Sequence, residues 1–225
     1  MARSQLLKDT VSGQETIENV LLRLKIILSD LENDLIMQWI EGELTGYEDK
    51  AELPNYRMTE GLVMGTYVLN NRVQLTNQSV PLHHLISDDE IKKLINIPIL
   101  DSFKTLERVI NNEGKETYAS VVPASYCHGI SNIQIQILQM RVECPQNILS
   151  KIISNVKSKL VEVIMELENQ YDDLDELDIK SQVEKDTRKK EQVIINIENI
   201  IFDESIKMGD RNKVEGSRLG HGGLR

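Results

Sequence analysis

Two short clusters hold most of the side chains in this sequence that could do chemistry. Tyr126-Cys127-His128 sets a thiol beside an imidazole, and His83-His84 sets two imidazoles in succession. A thiol and an imidazole act as nucleophile and base only where their side chains meet, and neighbours in sequence rarely meet that way. Cys127, His128 and His83 are the residues at which a reaction would be sought, with Tyr118 nearby in sequence; a structural thiol is the plainer reading of Cys127. Adjacent histidines point to opposite faces of a strand, or diverge by roughly 100° on a helix, so one metal ion cannot easily take both. Their adjacent spacing is not that of a zinc-binding helix pair, and no zinc motif results. Glu41, Glu43, Glu48, Asp49 and Glu52 form an acidic run. Paired carboxylates can hold a divalent metal or do acid–base work, but acids around a helix end more often form a solvated loop. Gly209-Asp210-Arg211-Asn212 lacks the Gly-Lys-Ser/Thr ending and the following helix of a phosphate loop. The pattern gives no cofactor and no metal site, and favours a protein without an enzymatic activity.

The elements that must position these residues are legible in the apolar spacing. Leu6, Leu7 and Val11 mark a short helix broken at Gly13. Thr16 then caps a helix whose stripe is Ile17, Val20, Leu21, Leu24, Ile27, Leu28 and Leu31. Asn33-Asp34 punctuates, and Leu35, Ile36, Trp39, Ile40 and Leu44 recur on one face of a third helix. Three helices with short joints predict an antiparallel bundle. From Tyr56 to Thr76 the period changes, and a β-hairpin is expected around Asn70-Asn71. A helix capped at Ser87 or Asp88 and another over residues 102–111 follow. Residues 117–131 read as irregular. Ile133 to Val142 alternates as a strand, and Pro145 opens a long helix.

The chain pivots on the stretch from Trp39 to Arg57. Trp-Ile-Glu-Gly-Glu-Leu-Thr-Gly-Tyr ends a helix at Gly46; an acidic run follows, and then Leu-Pro-Asn-Tyr-Arg, in which Pro54 turns Leu53 away from helix. This wording, carried by Trp39, Gly46, Tyr47, Pro54, Tyr56 and Arg57, resembles the AbiTii domain of bacterial abortive-infection (phage-defence) proteins. The resemblance is strongest over the first half of the chain. It implies a phage-defence setting and no particular chemistry.

The fold class expected is α+β: an N-terminal helical bundle packed with a small β-sheet and a long C-terminal helix, plus a β-prone assembly tail. The divisions are residues 1–171 as the AbiTii-like body, 172–192 as a charged linker or helix, and 193–225 as a β-prone, glycine-punctuated tail. Val193, Ile195, Ile197, Ile200 and Phe202 are read there as a strand through which copies of the chain pair. The chain has 225 residues, 4% of them aromatic, and a net charge of −10. That charge argues against a general nucleic-acid binder, no stretch approaches a membrane span, and the N-terminus has no signal-peptide run. Cys127 and Cys144 are read as free thiols of a cytoplasmic protein. Three functions stay open: a defence effector or sensor acting by oligomerisation and protein contact, with itself, a second defence protein or a phage protein as partner; a nuclease or other hydrolase toxin using the His83, His84 and His128 region; and a non-catalytic adaptor for a neighbouring defence enzyme.

Overall fold

The computed structural model describes residues 3–111 and 117–202. Helices α1 (Gln5–Ser12), α2 (Ile17–Ser29) and α3 (Asp34–Thr45) come first, capped by the side chains of Ser4, Thr16 and Asn33. A 3₁₀ turn at Asn55–Arg57 leads into β1 (Met58–Glu60), β2 (Leu62–Leu69) and β3 (Val73–Ser79). Helix α4 (Asp88–Ile95) opens with a capping box between Ser87 and Glu90. Then follow β4 (Asn96–Pro98), α5 (Phe103–Asn111), β5 (Tyr118–Val121), α6 (Ala124–Ile130), β6 (Ile135–Cys144) and the long α7 (Gln146–Gln170). Helices α8 (Lys180–Lys185) and α9 (Thr187–Phe202) complete an α+β fold.

Four antiparallel strands form the main sheet in the order β3-β2-β6-β5, and β1 pairs with β4 in a separate two-stranded ribbon. Asn70 and Asn71, with φ of 49° and 54°, make the tight turn between β2 and β3. Both ladders on β2 shift register beside Thr66, the irregularity of a β-bulge. One side of α7 is buried throughout, from Leu149 to Leu167, against α1, α2, α5 and α9. The apolar stripes of α2, α3 and α7 and the inward side of the sheet share one core.

Several expectations are corrected. The segment Val193–Phe202 is not a strand but most of α9. Val193, Ile197 and Ile201 recur every four residues, so a helix buries all three with Phe202 while Asn196 and Asn199 stay off the core. Tertiary burial outweighs the β-propensity of an isoleucine-rich run. Of the residues read as an oligomerisation strand, Val193, Ile197 and Phe202 are buried within their own chain, Ile200 is half-buried, and Ile195 is exposed. The part of that tail beyond Phe202 lies outside the described residues. Residues 172–192, read as a charged linker or helix, hold α8 and the start of α9 and are not solvated throughout. Leu174, Ile179 and Val183 are buried among their charged neighbours, Asp175 accepts the backbone N–H groups of Gln5 and Leu6 at the start of α1, and Asp30 accepts the Ile179 N–H. Residues 117–131, expected to be irregular, contain β5 and α6. The strand expected from Ile133 begins at Ile135, because the Asn132 side chain accepts the N–H groups of Gln134 and Ile135 in a turn and leaves Ile133 exposed.

Candidate functional site

The signature stretch folds into a closed polar cluster. Helix α3 places Trp39, Glu43 and, just past its end, Tyr47 at four-residue steps on one face. Gly46 ends the helix with φ of 99°, a backbone that disfavours every side chain. Gly42 is required by packing: a Cβ there would fall 2.3 Å from the Tyr47 ring. Pro54 then starts the 3₁₀ turn that aims Tyr56 and Arg57 back at the helix.

Glu43 and Arg57 are both fully buried. Glu43 Oε1 accepts from the Tyr47 hydroxyl (2.8 Å), the Tyr56 hydroxyl (2.8 Å) and Arg57 Nε (3.1 Å), and Oε2 accepts from Arg57 Nη2. The Trp39 indole donates to the Tyr56 oxygen at 2.9 Å. Arg57 Nη1 reaches the carbonyls of Ile99 (3.3 Å) and Asp101 (2.7 Å), tying β4 and its exit loop to the cluster, and the guanidinium lies over the Tyr47 ring. Burial, and then the Glu43 charge, push both phenols well above their ordinary range. Burial would lower the Arg57 guanidinium, but Glu43 overrules it and raises it. Each side-chain nitrogen and oxygen of Trp39, Glu43, Tyr47, Tyr56 and Arg57 has a hydrogen-bond partner inside the protein. The cluster is a clasp that joins α3 to the β1–β4 ribbon, with no group turned toward a ligand. Glu43 is thereby corrected: it is no part of a solvated acidic loop.

The residues at which chemistry was sought are not assembled. Cys127 is fully buried on α6, with Sγ 3.9 Å from the Val122 carbonyl, and burial pushes its thiol up, away from a reactive thiolate. His128, the next residue, is exposed. His83 and His84 are exposed in a 3₁₀ turn after β3, and His83 Nδ1 lies 3.2 Å from Asp88 Oδ1. Tyr118 donates to Asp101 Oδ2 at 2.7 Å, beside the clasp; burial and that bond raise its phenol. Among the described residues no hydrogen bond or ion pair joins Cys127, His83, His84 or His128 to one another, and no group of three or more His, Cys, Asp or Glu side chains is placed to hold a metal ion. Cys144 is a second free, buried thiol, raised to about 11 by burial.

Among the described residues no helix is long and apolar enough to cross a membrane. Comparison with known proteins finds no match among curated proteins and none among solved structures. The family model AbiTii matches residues 4–193, from the cap of α1 into α9 and across the whole clasp. The chain therefore belongs to the AbiTii family, whose domain implies abortive-infection phage defence.

Proposed function

We propose that this protein serves phage defence as a contact-acting component, sensor or effector, whose work is binding rather than covalent chemistry. One observation carries the reading: the only thiol next to an imidazole is sealed in the core with its reactivity suppressed, while the neighbouring imidazoles stand apart in water. A thiol nucleophile needs an accessible, low-pKa setting, and Cys127 has neither. The family signature, for its part, is consumed in a satisfied clasp, as fits a rigid scaffold whose recognition surface lies elsewhere. The test is a phage challenge of cells expressing the full chain, scored by plaque number. The variant Cys127→Ala with His83→Ala, His84→Ala and His128→Ala is expected to protect as well as wild type. Loss of protection by this variant, with its purified form unfolding as wild type does, would reject binding in favour of a hydrolase.

A further inference from the structure

Three unfavourable features meet in the segment that joins α7 to α8. Asp173 and Leu177 both stand in the left-handed region, with φ of 54° and 56°. That backbone presses a β-carbon toward the following carbonyl and is rare for a bulky side chain such as leucine. Tyr171, at the end of α7, is buried, and its hydroxyl has no hydrogen-bond partner among the described residues. A buried hydroxyl left unpaired has given up water for nothing. Residues 160–179 hold eight Asp or Glu and no Lys or Arg, and several of these acids fall at or just past the C-terminus of α7, the negative end of its dipole.

Contacts to neighbouring elements hold the segment in place. Leu174 is buried, the Asp175 carboxylate caps the start of α1, and the Gln182 side chain on α8 bonds both the N–H and the carbonyl of Asp172, each at 2.9 Å. Beyond it α9 lies on α7 and α3. Val193, Ile197, Ile201 and Phe202 are buried there, and Asn196 donates to Glu166 of α7 at 2.7 Å. The two sets of terms oppose each other. Burial under α9 favours the docked arrangement. The backbone at Asp173 and Leu177 and the stranded Tyr171 hydroxyl favour undocking, because a released segment returns to right-handed or extended backbone and the hydroxyl reaches water. Strain held at one joint of a packed structure is a property of switch regions, and terms that oppose each other across one joint set up a two-state equilibrium.

We infer that α8 and α9 form a strap, hinged at residues 171–177, that lifts from α3 and α7 as a unit while the rest of the body stays folded, and that the lifted form makes the defence contact. The second half of this inference rests on the binding role proposed above. Lifting bares Val193, Ile197, Ile201 and Phe202 together with the faces of α3 and α7 beneath them, an apolar surface that the docked form withholds. The docked form is thus the resting one.

Native-state hydrogen exchange of the full chain, read by mass spectrometry, tests the hinge. Wild-type amides of α8 and α9 are expected to exchange at least about tenfold faster than those of α2 and β6, and with a weaker dependence on denaturant, as an opening smaller than global unfolding does. Tyr171→Phe removes the stranded hydroxyl and should slow α8 and α9 at least about fivefold. Asp173→Gly, at an exposed position with positive φ, should slow them as well. Gln182→Ala cuts the bonds to Asp172 and should speed them at least about fivefold. Ile137→Val, in the core of the sheet, should speed α2 and β6 about threefold and leave α8 and α9 unchanged, because the lifted form keeps that core. Equal exchange in α9, α2 and β6 of the wild type, failure of any of the three hinge variants to shift α8 and α9 as stated, or an Ile137→Val effect shared by α9 would each overturn the strap. In the phage challenge Tyr171→Phe, a buried change that alters no contact surface, should protect less well than wild type because the strap lifts less often. Protection equal to wild type, with exchange slowed, would overturn the regulatory role. The variant lacking Cys127, His83, His84 and His128 tests the binding role separately, so the two failures are distinguishable.

Discussion

Replacing Arg57 by Met tests whether the clasp holds the fold. Met is unbranched and keeps most of the stem, so the change removes the charge and the donors with little loss of volume. Glu43 Oε2 then loses its donor, while Oε1 keeps two phenols. The carbonyls of Ile99 and Asp101 lose a partner as well. An uncompensated charge at a fully buried site costs about 3–5 kcal/mol, against a total stability of about 5–15 kcal/mol for a domain. Urea unfolding followed by Trp39 fluorescence measures the loss, since Trp39 is buried within the same network. Adding Glu43→Gln to Arg57→Met removes the stranded charge and leaves an amide oxygen for the phenols. The double variant should therefore recover about 1–3 kcal/mol, a coupling typical of residues in contact. A loss of about 1 kcal/mol or less for Arg57→Met, the value of a surface pair, or no coupling in the cycle, would refute the clasp as described.

Two further predictions follow from the same geometry. Tyr47 and Tyr56 hold their protons well above pH 10 when folded, because of burial and Glu43, whereas the unfolded chain releases them near pH 10. The unfolded state then binds fewer protons, so stability should fall as pH rises above about 10, by up to ~1.4 kcal/mol per pH unit for each phenol; Tyr47→Phe with Tyr56→Phe should flatten that slope in alkaline urea titrations, and an unchanged slope counts against the assignment. On α9, Ile197→Ala should cost about 2–5 kcal/mol, as a core deletion does, and Ile195→Ala less than about 0.5 kcal/mol; equal costs at both positions in thermal unfolding would match a strand rather than this helix.

The bundle and α7 were readable because their apolar stripes are long and keep a helical period. The hairpin was readable because Asn70-Asn71 is turn chemistry between apolar runs. Helix α9 was misread for a definite reason. Its ten residues from Val193 hold five isoleucines, a valine and a phenylalanine, and β-propensity dominates a run that short. The four-residue step of Val193, Ile197 and Ile201 was the better guide, but it gains force only once α3 and α7 supply a surface to bury it. Glu43 carried a usable signal too. It falls on the stripe of Ile36, Trp39 and Ile40, and an acid on a buried stripe demands a cation, which Arg57 supplies. Which residues of β2, β3, β5 and β6 share a face of the sheet depends on pairing register. That register includes shifts beside Thr66 that spacing alone does not reveal.

The match to the family model stops at Val193, whereas the fold does not. Helix α9 continues for more than two turns, and its last carbonyl, at Phe202, accepts from the Asn55 side chain at 3.0 Å. Asn55 lies in the turn that delivers Tyr56 and Arg57 to Glu43. Asn33, the cap of α3, donates to Glu198 farther back on the same helix. The beginning of α3 and the turn that returns to it are thus both tied to α9, and Ile201 and Phe202 are buried beside them. A helix so placed restrains the two elements whose approach closes the clasp. Residues 194–202, beyond the family match, are therefore packed into the same body as the signature itself.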